Sequence, residues 1–177
     1  MSPKLNPLTR GKKQKALALL QHDQPGEALP LLEQVCRTDR RDTDARFMLA
    51  AAYQKLGAFE QAAEAYRQVI ALKPDYADAH YYLGNAYLAL GNKPAAIASF
   101  GQATRLRPEY LEAHVNLGAL LDLQHNFAAA ETSFRHGLRL DPKNAELHYS
   151  LGNVLQSQDQ LEAAVDAYRQ ALALRPG

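Results

Sequence analysis

The 177-residue chain has one cysteine, Cys36, so it has no internal disulfide and is not a disulfide-stapled secreted fold. It lacks an excess of either charge: Lys plus Arg is 20, Asp plus Glu is 19, and the net is +1. That balance gives no reason to expect nucleic acid or an acidic membrane as the main partner. No apolar run approaches the ~18–20 residues of a membrane span. The N-terminus, MSPKLNPLTRGKKQKALALLQ, lacks the apolar core of a secretory signal, so a soluble cytoplasmic protein is expected. Catalytic signatures are missing too: G-x-G-x-x-G, the P-loop, H-E-x-x-H and G-x-S-x-G do not occur. None of the five serines (Ser2, Ser99, Ser133, Ser150, Ser157) stands in an activating motif. Yet 47% of residues are hydrophobic and 22% charged, which is the composition of a folded chain.

What the chain does have is repetition. Pro74, Pro108, Pro142 and Pro176 recur every 34 residues. Tyr66, Phe100, Phe134 and Tyr168 keep that interval, and so do Ala28, Ala62, Ala96, Ala130 and Ala164. Leu49-Ala50, Leu83-Gly84, Leu117-Gly118 and Leu151-Gly152 follow suit. The units are 43–76, 77–110, 111–144 and 145–177, after a degenerate 9–42 and an N-terminal extension, 1–8. In 9–42, Lys15 replaces leucine and Arg40 replaces proline. A divergent outermost unit is expected, because it packs against one neighbour only.

Each unit carries two helical periods. Ala79, Leu83, Ala86, Tyr87 and Leu90 are spaced by threes and fours, and a second stripe runs from Ala96 to Leu106. Gly91-Asn92-Lys93 lies between them, with Gly91 suited to a left-handed helix end. Pro94 opens the second helix, where a missing N–H costs nothing, and Pro108 ends it. The spacing predicts helix pairs at 43–56/60–73, 77–90/94–107, 111–124/128–141 and 145–158/162–175. A less regular pair is expected at 9–22/26–39, disturbed by Pro25 and Pro30. The fold class is therefore all-α, a solenoid of about five helix–turn–helix units.

Leu83-Gly84, Tyr87, Ala96, Phe100, Ala103 and Pro108, with their equivalents, resemble the tetratricopeptide repeat over residues 9–177. The resemblance implies a right-handed superhelix whose inner face, made mostly by first helices, binds peptides or proteins. One departure is the position usually held by a bulky aromatic, here Arg46, His80, His114 and His148. The resemblance also leaves open a substrate-recruiting arm of a larger glycosyl-, sulfo- or methyltransferase.

On the first helices, the second, fifth, sixth, ninth and twelfth residues of each unit share one stripe. From it the expected peptide-binding groove comprises Lys13, Phe47, Tyr81, Asn85, Asn116, Asp122, Tyr149 and Asn153. Aromatic side chains offer shallow contacts there, and asparagines offer a donor and an acceptor together to an extended backbone. The resemblance includes a subclass that clamps chaperone C-terminal carboxylates. Asn85 and Asn116 match it, but Tyr81, Glu146 and Ser150 stand where its cations are needed.

The acidic row Asp44, Asp78, Glu112 and Glu146 needs no ligand, because first-turn carboxylates suit the helix dipole. His80, His114 and His148 are expected about 8–10 Å apart, the spacing of packed helices. That is too far for a shared metal, so packing and a single hydrogen bond each are expected of them, with no metal and no cofactor. Cys36 is expected to be a packed thiol, and no catalysis is expected. Residues 1–42 carry eight basic and five acidic side chains, net +3, against net −2 over 43–177. That basic end reads as a solvated cap face. The last helix is apolar over more than one stripe, so either the natural chain continues or copies cover each other, with weak self-association through the C-terminal repeat.

Overall fold

The computed structural model describes residues 7–175. Among the described residues there are ten helices and no strand. They are α1 (Pro7–Gln21), α2 (Pro25–Thr38), α3 (Thr43–Lys55), α4 (Phe59–Leu72), α5 (Ala77–Ala89), α6 (Lys93–Leu106), α7 (Leu111–Leu123), α8 (Phe127–Leu140), α9 (Ala145–Ser157) and α10 (Leu161–Leu174). The first helices begin at 43, 77, 111 and 145, as the register expects. The second helices begin one residue early, at 59, 93, 127 and 161. The first pair is extended backwards to Pro7, inside the expected 1–8 extension, whose residues 1–6 lie outside the described ones.

The tight link within each pair explains the shift. Asp23, Gly57, Gly91, His125 and Asp159, again 34 residues apart, all have φ between 57° and 74°. This left-handed residue reverses the chain in one step, and the next residue already caps the following helix. Asn126 shows it, with its side chain accepting from Ala129 N. Pro94 is thus the second residue of α6, where its missing N–H is still harmless. Helix α2 runs unbroken through Pro30. The carbonyl this leaves without a helical donor belongs to Gly26, which is exposed and can bind water.

The link between pairs is held differently. His80 Nε2 lies 2.9 Å from the Pro74 carbonyl, His114 Nε2 2.9 Å from Pro108 O, and His148 Nε2 3.0 Å from Pro142 O. A carbonyl only accepts, so each imidazole carries its proton on Nε2 and donates. Arg46 makes the same six-residue span to Arg40 O at 2.8 Å. These four residues fasten each turn to the helix that follows it.

The chain divides into two compact units between Ala96 and Ile97, inside α6. In the first unit α1 to α5 each pack on their neighbours in sequence, and α1 also touches α3. One core cluster joins Ala16, Leu32, Val35, Cys36 and Leu49; another joins Ala50, Ala62, Tyr66, Leu83 and Ala86. In the second unit α7 to α10 pack in the same order, with α7 also touching α9, around Phe134, Leu147, Leu151, Val154 and Leu155. There the periodic aromatic meets the periodic glycine. A Cβ added to Gly118 would lie 2.6 Å from Phe134 Cε1, and one on Gly152 would lie 2.5 Å from Tyr168 Cε1. Glycine lets the second-helix ring lie flat on the first-helix backbone.

Candidate functional site

In the second unit the first-helix stripe of α9 and the adjoining face of α10 form a groove of about 840 Å³. Tyr149, Ser150, Asn153 and Gln156 line it from α9, and Tyr168, Ala171 and Leu172 from α10. Tyr149 is 57% exposed and Leu172 64%. The rings of Tyr149 and Tyr168 are 5.7 Å apart and tilted. The Tyr168 hydroxyl lies 2.9 Å from both Asn153 Oδ1 and Gln156 Oε1. Its single proton can serve one of them at a time, and burial, with Tyr149 nearby, pushes the phenol up. This contact orients the Asn153 amide so that its NH2 has no partner among the described residues. Arg175 and Glu146 pair at 3.4 Å on the exposed rim.

The expected residues divide into several groups. Tyr149 and Asn153 come together in this groove. Asn116 and Asp122 lie half-buried on α7 and do not join it. In the first unit Phe47 is half-buried in an aromatic cluster, with ring centroids 5.5 Å from Tyr66, 5.2 Å from Tyr76 and 5.7 Å from Tyr82. Tyr81 packs edge-on against Tyr82 at 5.2 Å, and Asn85 lies one turn further along α5. Phe47 is therefore a packing residue as much as a surface one.

Lys13 lines a shallower groove of about 500 Å³ with Arg10, Gln14, Leu17, Asp44 and Met48, but its charge is committed. Its Nζ lies 2.7 Å from Asp42 Oδ1 and 3.3 Å from Asp44 Oδ2. Asp42 is buried and caps α3 through Ala45 N at 2.9 Å. Burial alone would lower the Lys13 ammonium, but the bonds and charges of Asp42 and Asp44 outweigh it, and the net shift is upward.

Sequence reasoning missed Tyr168 and Leu172, and it placed Gln156 on the first-helix stripe without including it in the expected groove. Tyr168 belongs to the same periodic aromatic series as the buried Tyr66 and Phe134, so its period marks it as core. Only its place in the last unit brings it to a groove. Among the described residues, no group of three or more His, Cys, Asp and Glu could hold a metal ion, and no helix is long and apolar enough to cross a membrane.

Helix–turn–helix units in tandem, with an open groove where α9 meets α10, define an all-α helical repeat protein. Tetratricopeptide repeat models match residues 19–65, 111–144 and 145–177, and a TPR repeat model matches 55–91 and 84–124. The chain belongs to the tetratricopeptide repeat family. No curated protein sequence matches it. Among solved structures, a MamA protein superposes with TM-score 0.87 at 21% identity, covering 94% of this chain and 91% of its own. MamA 41-end from Desulfovibrio magneticus RS-1 gives 0.86 at 20% identity, covering 97% of each. YrrB, described as a TPR protein with an unusual peptide-binding site, gives 0.83 at 19% identity, covering 93% of this chain and 85% of its own. At these identities the likeness is one of fold.

Proposed function

We propose that this chain is a non-enzymatic interaction scaffold that holds an extended peptide, or an extended segment of a protein, on its first-helix face. The observation that supports this most is the groove of Tyr149, Asn153, Tyr168 and Leu172, which pairs exposed apolar surface with an oriented, unspent amide. An extended segment can take the Asn153 NH2 through a backbone carbonyl while its side chains lie against Tyr149 and Leu172. The likeness in fold to YrrB, whose description names a peptide-binding site, supports the same reading. To test it, peptides selected from a random display library on the intact chain are titrated against Tyr149→Ala with Asn153→Ala. Losing one hydrogen bond, worth about 0.5–1.5 kcal/mol, and one aromatic contact of similar size should weaken binding about tenfold or more. Equal affinity for a folded double variant would move the site elsewhere.

A second reading rests on the last helix. Leu161, Val165 and Leu172 are 57%, 45% and 64% exposed, while their repeat equivalents Phe59, Ala63 and Ile70 are half-buried, buried and half-buried. A second copy covering this face would give weak self-association. Light scattering across a wide concentration range checks it: mass should rise with concentration in the parent and stay flat in Leu172→Glu. A parent that stays at one chain mass would end the reading.

A further inference from the structure

We propose that the first unit carries, on its second-helix side, an oxyanion site formed by Arg37, Arg40 and Arg46 that takes a phosphoryl group. This site is separate from the first-helix groove. A pocket of about 670 Å³ lies between α2 and α3, lined by Glu33, Cys36, Arg37, Arg40, Arg46 and Leu49. Two of its three arginines are departures from the repeat. Arg40 stands where the other units have Pro74, Pro108 and Pro142, and Arg46 where they have His80, His114 and His148. Stacking of units does not call for charge at either position, since proline and histidine serve it elsewhere.

Arg46 is held beside the pocket with its charge intact. One terminal nitrogen donates to Arg40 O at 2.8 Å and the other to the Gln68 side chain, which holds the guanidinium in place. Its Nε is buried with no acceptor. The side chains of Arg37 and Arg40 have no partner among the described residues. Of the nearby carboxylates, Glu33 accepts from the Tyr53 hydroxyl at 2.9 Å and Asp39 from Arg41 N at 2.9 Å, both keeping their charge, while Asp42 is paired with Lys13, which it shares with Asp44. Three guanidinium groups thus share a pocket with one lining carboxylate. Arg46 is held in place, while Arg37 and Arg40 are exposed and free to turn their forked N–H donors onto a phosphoryl group, which offers several oxygens and about two negative charges.

The register-equivalent pocket of the second unit supplies a contrast. It too is lined by second-helix arginines, Arg135 and Arg139, with His148 in place of Arg46. There Arg135 is paired with Glu131 at 2.8 Å, and His148 spends its Nε2 on Pro142 O. The first-unit pocket keeps more unspent donors. The pocket is an open surface depression on a chain proposed to hold polypeptide segments, and resting on that reading the phosphoryl group is assigned to a phosphorylated side chain of a partner polypeptide.

The chain supplies its own reporter. Cys36, its only cysteine, lines this pocket and is 8% exposed. Calorimetric titration and the rate of Cys36 alkylation are measured on the full chain with three probes: inorganic phosphate, an acetylated tetrapeptide containing phosphoserine, and its unphosphorylated twin. The phosphopeptide should bind about tenfold or more tighter than the twin and slow alkylation, with both effects weakened by salt. Arg37→Gln with Arg40→Gln should remove the affinity and the protection at unchanged melting temperature, while Arg169→Gln changes neither. Inorganic phosphate that binds and protects as well as the phosphopeptide keeps the site and assigns it to the free ion. If neither phosphate-bearing probe slows alkylation, or if the double variant binds like the parent, the site does not exist. None of these readouts uses the Tyr149 groove, so this proposal and the peptide-groove reading fail separately.

Discussion

Gly118 and Phe134 show why single positions recur in this chain. The ring lies where a Cβ on residue 118 would sit, at 2.6–3.0 Å from three ring carbons, and it is 2% exposed. Gly118→Ala must therefore move a buried ring, and a cost of about 1–3 kcal/mol is expected. Phe134→Ala empties the same site and should cost about 3–5 kcal/mol. The two changes share one contact, so the loss in the double variant should fall short of the sum. Urea unfolding of the three variants checks this, and full additivity would show that the ring and the glycine do not meet.

His114 belongs to the same scale. It is buried, donates to Pro108 O and stacks on His136 with centroids 5.1 Å apart and planes 4° from parallel. Burial lowers its pKa; the bond to Pro108 opposes that, and the nearby His136 and Arg139 reinforce it. The folded value lies below the unfolded one of about 6.5, so the unfolded chain binds the proton first as pH falls. The stability that His114 contributes is full above the unfolded value and lost as pH drops through the folded value. His114→Phe should flatten that acid limb. Unfolding midpoints at about pH 7.5 and about pH 5 should differ less in the variant than in the parent.

At the scale of elements, each hairpin depends on one left-handed residue. Glycine holds that place at 57 and 91, but His125 and Asp159 adopt φ of 58° and 60° with a side chain present. A left-handed conformation costs a residue with a Cβ roughly 1–2 kcal/mol, partly offset by the freedom glycine gains when unfolded. His125→Gly and Asp159→Gly should each stabilise the protein by about 0.5–1 kcal/mol in thermal unfolding, and destabilisation by either would show an unseen role for the side chain. The start of α3 works by a different device. Asp42 caps it while buried, and Lys13 on α1 supplies the opposite charge. Lys13→Met leaves that carboxylate without its cation, at a cost of about 3 kcal/mol. The raised Lys13 ammonium makes its contribution present below its unfolded pKa and lost as pH rises through the folded one, so parent and variant should converge in strong alkali.

At the scale of the molecule, the all-α class, the 34-residue repeat and the place of every first helix after the first can be read from the residues alone. Those follow from local rules: apolar spacing of three and four, a proline that ends a helix and a turn residue that reverses the chain. The same rules put the second helices one residue late, because glycine and proline mark a turn without saying which residue inside it caps the next helix. The histidines were legible as packing residues with one hydrogen bond, but not as fasteners to a carbonyl six residues back.

The candidate site was legible only in part. Helical spacing places Tyr149 and Asn153 on one face, and the structure puts them in one groove. It cannot say that Phe47 turns into an aromatic cluster, that Lys13 is spent on a buried carboxylate, or that Tyr168 leaves the core series to line the groove. Those points come from packing, because period assigns a side chain to a face, while exposure and charge pairing depend on what the neighbouring helices bring to that face.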